Sequence, residues 1–196
     1  MNHIEKLTNR IPELSCIAEE LTRAADAICE MHRNGKKLLI CGNGGSAADS
    51  EHISGELLKG FLLKREPSEE WAPKALQGGI AAIPLPSLSA SLSAFANDCD
   101  PTLVFAQLTY ALGREGDVFL GLSTSGNSKN VVEAAKIAKA AGLTTIAFTG
   151  NGGGKLAEIC DVNVCVPATE TYLIQEYHLP AYHALCAEVE ERLFGL

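Results

Sequence analysis

One stretch constrains the fold more than any other. The apolar run Val118-Phe119-Leu120-Gly121-Leu122 passes directly into Ser123-Thr124-Ser125-Gly126-Asn127-Ser128, and a helical pattern over 128–141 follows at once. A short apolar run closed by a turn reads as a buried strand, so strand, hydroxyl-rich turn and helix N-terminus come in immediate succession. The first N–H groups of a helix have no internal partner, and the macrodipole adds about half a positive charge there. Three serines, a threonine and a flexible glycine add donors and close backbone approach, a combination suited to a phosphate dianion. Serine and asparagine also cap helices in any α/β protein. A cap needs one hydroxyl, whereas this turn holds four, so anion binding is the favoured reading.

The same alternation recurs along the chain. Residues 3–34 predict helix, with Leu14, Ile17, Leu21, Ala25 and Ile28 at helical spacing and Pro12 in a first turn. Strands are expected at 37–41, 79–84, 117–122, 144–148 and 161–166, and helices at 47–61, 87–95, 102–113, 128–141 and 170–193, with a short helix after 154. Residues 64–79 contain prolines, charges and a lone Trp71 without periodicity, and predict a surface excursion, such as a flap or a subunit contact. Strands alternating with helices predict one α/β domain over 1–196, a three-layer sandwich with a mainly parallel five-stranded sheet and an N-terminal helical segment.

Composition narrows the function classes. The chain has 16 basic and 24 acidic residues, a net charge of −8, which argues against a nucleic-acid or anionic-membrane footprint. An anionic ligand must then be held by local dipoles and donors. No apolar run reaches about 18 residues, so no membrane span is expected, and residues 1–37 lack the apolar core of a signal peptide. Seven cysteines, an odd number without a C-x-x-C pair, lie mostly in apolar patterns. They read as reduced, buried thiols of a cytoplasmic protein.

Further candidates lie in other segments. Gly42-Asn43-Gly44-Gly45-Ser46 follows a strand and opens a helix, so its amides could cradle an anion or a sugar hydroxyl, or form a tight turn. It is not a dinucleotide fingerprint, and no Walker lysine follows. His52 and Glu56 share a helix face at i, i+4, a spacing that serves metal ligation, acid/base work or an ordinary surface pair. In the last helix Gln175 and His183 lie about 80° apart, and His178 about 140° from His183 and open to a polar-face role. Pro180, between Gln175 and His183, predicts a kink. Asn97-Asp98 suits sugar hydroxyls or an enediol proton, or a plain helix stop.

Taken together, Cys41–Ser46, Asn97-Asp98, Gly113-Arg114-Glu115-Gly116-Asp117 and Ser123–Ser128 occur in the order and spacing of the SIS (sugar isomerase) domain. The chain resembles this family over nearly its whole length, and within it the phosphoheptose isomerases that act on sedoheptulose 7-phosphate in heptose synthesis for cell-surface glycans. The resemblance implies a homotetramer with sites built between subunits. It implies phosphate on Ser123, Thr124, Ser125 and Ser128, and sugar contacts from Asn43, Gly44, Gly45, Glu56, Asn97, Asp98 and Gln175. It also implies a zinc site on His52, Glu56, Gln175 and His183, with Glu56 and His183 as the catalytic pair. Two other members of the class offer alternatives: an isomerase of another phosphosugar, and a non-catalytic tetramer that binds the replication initiator DnaA. One departure stands out. The family commonly has an arginine shortly after the catalytic glutamate, where this chain has Gly60. Lys59, Lys64 and Arg65 are the nearby basic groups that could serve instead.

Overall fold

The computed structural model describes residues 1–195. Helix α1 (His3–Arg10) opens with a capping box, in which Asn2 accepts from the Glu5 amide and Glu5 bonds the Asn2 amide. The helix expected over 3–34 is two helices. Pro12 forces Ile11 to an extended φ of −130° and starts a 3-10 segment, Pro12–Ile17, and α2 (Ala18–Arg33) follows. Both helices turn an apolar face inward through Ile4, Leu7, Leu21, Ala25 and Ile28.

The sheet contains β1 (Leu38–Cys41), β2 (Ala82–Pro84), β3 (Val118–Leu122), β4 (Thr144–Thr149) and β5 (Val162–Cys165). Its order is β2-β1-β3-β4-β5, and every neighbouring pair is parallel, with Leu38 opposite both Ala82 and Val118. β2 is shorter than the strand expected over 79–84. It is an edge strand that pairs only with β1 and ends in a proline, a residue that sheets accept at their edges.

Alternate residues feed two cores. Leu38, Ile40, Leu120, Ile146 and Phe148 face the layer of α1, α2, α3 (Gly45–Leu58) and α8 (Thr171–Phe194). Leu39, Cys41, Phe119 and Ala147 face the opposite layer, with α5 (Val104–Leu112), α6 (Lys129–Ala140) and α7 (Gly154–Ile159). Helices on both faces allow the near-continuous apolar runs of β1 and β3.

Helix α4 (Ser89–Asp98) continues beyond the expected end at residue 95, because the Cys99 amide bonds Phe95 O and Pro101 comes only afterwards. Asn97 and Asp98 therefore belong to its last turn, not to a loop beyond it. Helix α8 continues through Pro180, which removes one helical bond without ending the helix.

The segment between α3 and β2 lacks regular structure, and Trp71 is 82% exposed. It is not wholly superficial, because Arg65 is buried. All seven cysteines are free; Cys29, Cys41, Cys160 and Cys186 are buried, whereas Cys16 and Cys99 are exposed. Their spacing alone did not separate the two groups. No described helix is long and apolar enough to cross a membrane.

Candidate active site

Between β1 and β3 the chain reverses its direction of travel across the sheet: β2 lies on one side of β1, and β3 on the other. In open parallel sheets such a switch point leaves a crevice at the carboxyl ends of the strands. Both small-residue loops emerge there, one after β1 and one after β3. An amide pair ties them together. Asn43 Nδ2 donates to Asn130 Oδ1 at 2.9 Å, and Asn130 Nδ2 donates to Asn43 Oδ1 at 2.8 Å.

The serine loop differs from an ordinary cap. Ser128 occupies the N-cap position of α6, yet its side chain does not cap that helix. Its hydroxyl is engaged with buried Ser123 instead, 2.9 Å between the two Oγ atoms. Ser125 Oγ accepts from the Asn127 amide at 3.1 Å. Gly126 holds φ at +65°, and a side chain there would run into Gly153 O. The turn is therefore braced from behind; the Val131 amide donates to Asn130 Oδ1 at 3.0 Å, while the Lys129 and Asn130 amides that open α6 have no side-chain acceptor. An anion fits that vacancy in hydrogen bonding.

In the first loop Gly44 has φ +55° and leads into α3, again without a side-chain cap. Gln175 reaches across from α8 and stands over Gly45, so closely that a methyl group at 45 would collide with its Nε2. Asn97 and Asp98 stand apart. Their side chains bond each other at 2.8 Å, and neither bonds another of the expected site residues.

The titratable cluster comes from α3 and α8. His52 Nε2 lies 3.2 Å from Glu56 Oε1 and 3.3 Å from His183 Nε2. Two imidazoles and a carboxylate thus offer three ligand atoms within 4.8 Å of one another. That donor set fits a divalent metal with room for a further ligand. Burial first, then the neighbouring His52, hold the His183 imidazole below its ordinary range, and Glu56 only partly opposes them. Lys59 Nζ lies 3.2 Å from Glu56 Oε2.

Tyr182 and Asp49 complete the arrangement. The Tyr182 hydroxyl donates to Asp49 Oδ1 at 3.1 Å and lies 2.9 Å from His52 Nδ1. Sequence reasoning missed both, although Asp49 is one helical turn before His52 and Tyr182 directly precedes His183. Of the suggested basic groups, Arg65 is turned inward, its Nε 2.7 Å from Glu190 Oε1, and cannot meet a substrate. Gly60 has no room for a larger residue, because a Cβ there would collide with Leu63 O. His178, open to a polar-face reading in the sequence, is fully buried with Nε2 at 3.2 Å from Thr149 O.

Comparison with known proteins identifies the family. The SIS domain profile matches residues 2–150. The phosphoheptose isomerase of Aneurinibacillus thermoaerophilus is 38% identical, covering 98% of this chain and 93% of the relative. That of Synechocystis is 40% identical, covering 98% and 92%. The solved phosphoheptose isomerase of Neisseria gonorrhoeae superposes with a TM-score of 0.80 at 36% identity, covering 96% of this chain and 95% of that one. The chain belongs to the phosphoheptose isomerase family of SIS-domain proteins.

Proposed function

We propose that the protein interconverts sedoheptulose 7-phosphate and D-glycero-D-manno-heptose 7-phosphate, an aldose–ketose isomerisation that supplies heptose for cell-surface glycans. The observation that carries this reading is the convergence of His52 and Glu56 of α3, the helix that starts at the loop after β1, with His183 of α8. A protein that serves only as a scaffold has no need of such a set.

The reaction moves one hydrogen from C1 to C2 and leaves the phosphate untouched. The Glu56 carboxylate removes a proton from C1, the electron pair forms the C1–C2 double bond of an enediol, and the C2 oxygen gains a proton. Return of a proton to C2 and loss of the O1 proton leave the aldehyde. General acid–base catalysis of this kind contributes about 10²–10⁴-fold. His183, whose pKa burial and the neighbouring His52 hold below the ordinary imidazole range, is suited to exchange protons with the two oxygens.

The phosphate rests on Ser123, Thr124, Ser125 and Ser128 and the first amides of α6, and its binding energy positions the reacting carbons at the other end. Asn43, Gly44, Gly45 and Gln175 line the sugar between the two ends. Zinc suits the His52, Glu56 and His183 donors, with the Gln175 amide as a fourth ligand. When bound, it polarises a carbonyl as a Lewis acid. His183 offers only Nε2 to the cluster, so at any moment that nitrogen either holds the ion or moves a proton.

Helix α4 buries none of its residues within the single chain, which supports a homotetramer whose subunit contacts carry Asn97 and Asp98 to a neighbouring site. Seven free cysteines support a reducing, cytoplasmic setting. The deciding experiment is NMR observation of aldose formation from a series of C5–C7 ketose phosphates. Turnover of the C7 substrate above the shorter ones is expected, and turnover of none of them would defeat the proposal.

A further inference from the structure

Helix α3 ends at Leu58, two residues beyond Glu56, and Lys59 leaves it in an extended conformation without a capping glycine. A helix end leaves its last carbonyls without intrahelical donors. Here a buried side chain supplies donors to two of them: Arg65 Nη2 donates to Glu56 O at 3.1 Å and Nη1 to Leu57 O at 2.7 Å, and Leu57 O also accepts from the Ile80 amide at 2.9 Å. Its Nε donates to Glu190 Oε1 at 2.7 Å. The Glu190 carboxylate also accepts from the amides of Phe61, Leu62 and Leu63, at 2.8, 2.6 and 3.0 Å. The two charged side chains are 0% and 1% exposed, and the guanidinium lies 5.0 Å from the centre of the Phe194 ring.

This pair is expensive in desolvation. A buried ion pair often stabilises a fold no better than apolar residues of the same volume, so its placement is more informative than its energy. The guanidinium fork meets a carboxylate and two carbonyls at once, which a single ammonium cannot do in that geometry. Its positive charge also complements the negative end of the α3 dipole. Burial pushes the Glu190 carboxyl up, but the Phe61 and Leu62 amides and Arg65 outweigh it and hold it below the ordinary carboxylate range. The carbonyl held by Arg65 belongs to the residue whose carboxylate faces His52.

We infer that Arg65 and Glu190 are positioning residues that fix the last turn of α3 and thereby aim the Glu56 carboxylate; this rests on the isomerase reading above. A misplacement of about 1 Å in a reacting group can cost 10²-fold in rate.

The test compares wild-type protein with Arg65→Lys and with the double variant Arg65→Met/Glu190→Gln, which leaves no charge unpaired. In folded double variant, kcat for sedoheptulose 7-phosphate should fall at least about tenfold while KM, set largely by the serine loop, stays within about twofold. Arg65→Lys should fall between the two, and it carries the comparison if the double variant does not fold. Wild-type kcat in a folded variant would overturn the inference, since a merely structural pair affects the melting temperature alone. Amide exchange over 52–58 reads the clamp without substrate. Exchange about tenfold faster there with α6 unchanged supports it, and unchanged exchange in 52–58 overturns it. Absence of turnover in the wild type defeats the proposed function only, and exchange then decides the clamp.

Discussion

The Tyr182 hydroxyl lies 2.9 Å from His52 Nδ1 and spends its own proton on Asp49. It can therefore only accept from the imidazole, which places a proton on His52 Nδ1 and turns Nε2 toward Glu56 and His183. An outer hydrogen bond of this kind fixes both the tautomer and the orientation of a metal-binding histidine. Tyr182→Phe should weaken zinc binding by roughly 10–100-fold. Competition with a chromophoric chelator measures it, and an unchanged affinity would separate Tyr182 from the site.

Glu56→Gln and His183→Ala should each reduce turnover by about 10²-fold or more while the protein remains folded. NMR of the ketose–aldose equilibration gives the rate, and circular dichroism the fold. Rates near wild type in both would refute the acid/base assignment. Turnover with and without a chelator divides the two roles of His183, since activity that survives complete metal removal leaves it proton transfer alone.

The serine loop should act on binding more than on chemistry. Ser125→Ala and Ser128→Ala should raise KM for the phosphorylated ketose by roughly tenfold each, about the worth of one hydrogen bond to a charged group. Inorganic phosphate should compete with substrate in the wild type and more weakly in the variants. A fall in kcat at constant KM would place the loop in the chemical step instead.

His178 makes stability depend on pH. Burial lowers its pKa from 6.5 to about 4, against the bond to Thr149 O, and its Nδ1 has no partner. Between those values the unfolded chain binds more protons than the folded one, so this contribution is complete above pH 6.5 and is lost as pH falls toward 4. The loss amounts to about 3 kcal/mol at most. Urea midpoints at pH 7 and pH 5 should differ less in His178→Gln than in wild type. Equal differences would assign the acid sensitivity elsewhere.

Gly60→Arg restores the residue common in the family at this position. In this chain a side chain there meets Leu63 O and Gln77 Oε1, so the substitution should destabilise by about 1–3 kcal/mol. A thermal melt reports it, and an unshifted midpoint would show that the turn adapts.

Much of this protein is legible in the sequence, because strand and helix periodicities and loop composition are local properties. The apolar run ending at Leu122, the hydroxyls that follow it and the i, i+4 relation of His52 to Glu56 depend on neighbours in the chain. Local spacing even located the strands whose ends carry both loops. What it could not decide was which distant side chains meet. Glu190 is 125 residues from Arg65, and both look from the sequence like ordinary surface charges; only the packing of α8 against the end of α3 removes them from water. Asn130 meets Asn43 because β1 and β3 are neighbours at the switch point, and Tyr182 reaches Asp49 because two helices lie side by side. Sequence determined the elements and the chemistry that each could carry. Tertiary structure decided which groups share a low-dielectric pocket, where hydrogen-bond partners must be found within the protein.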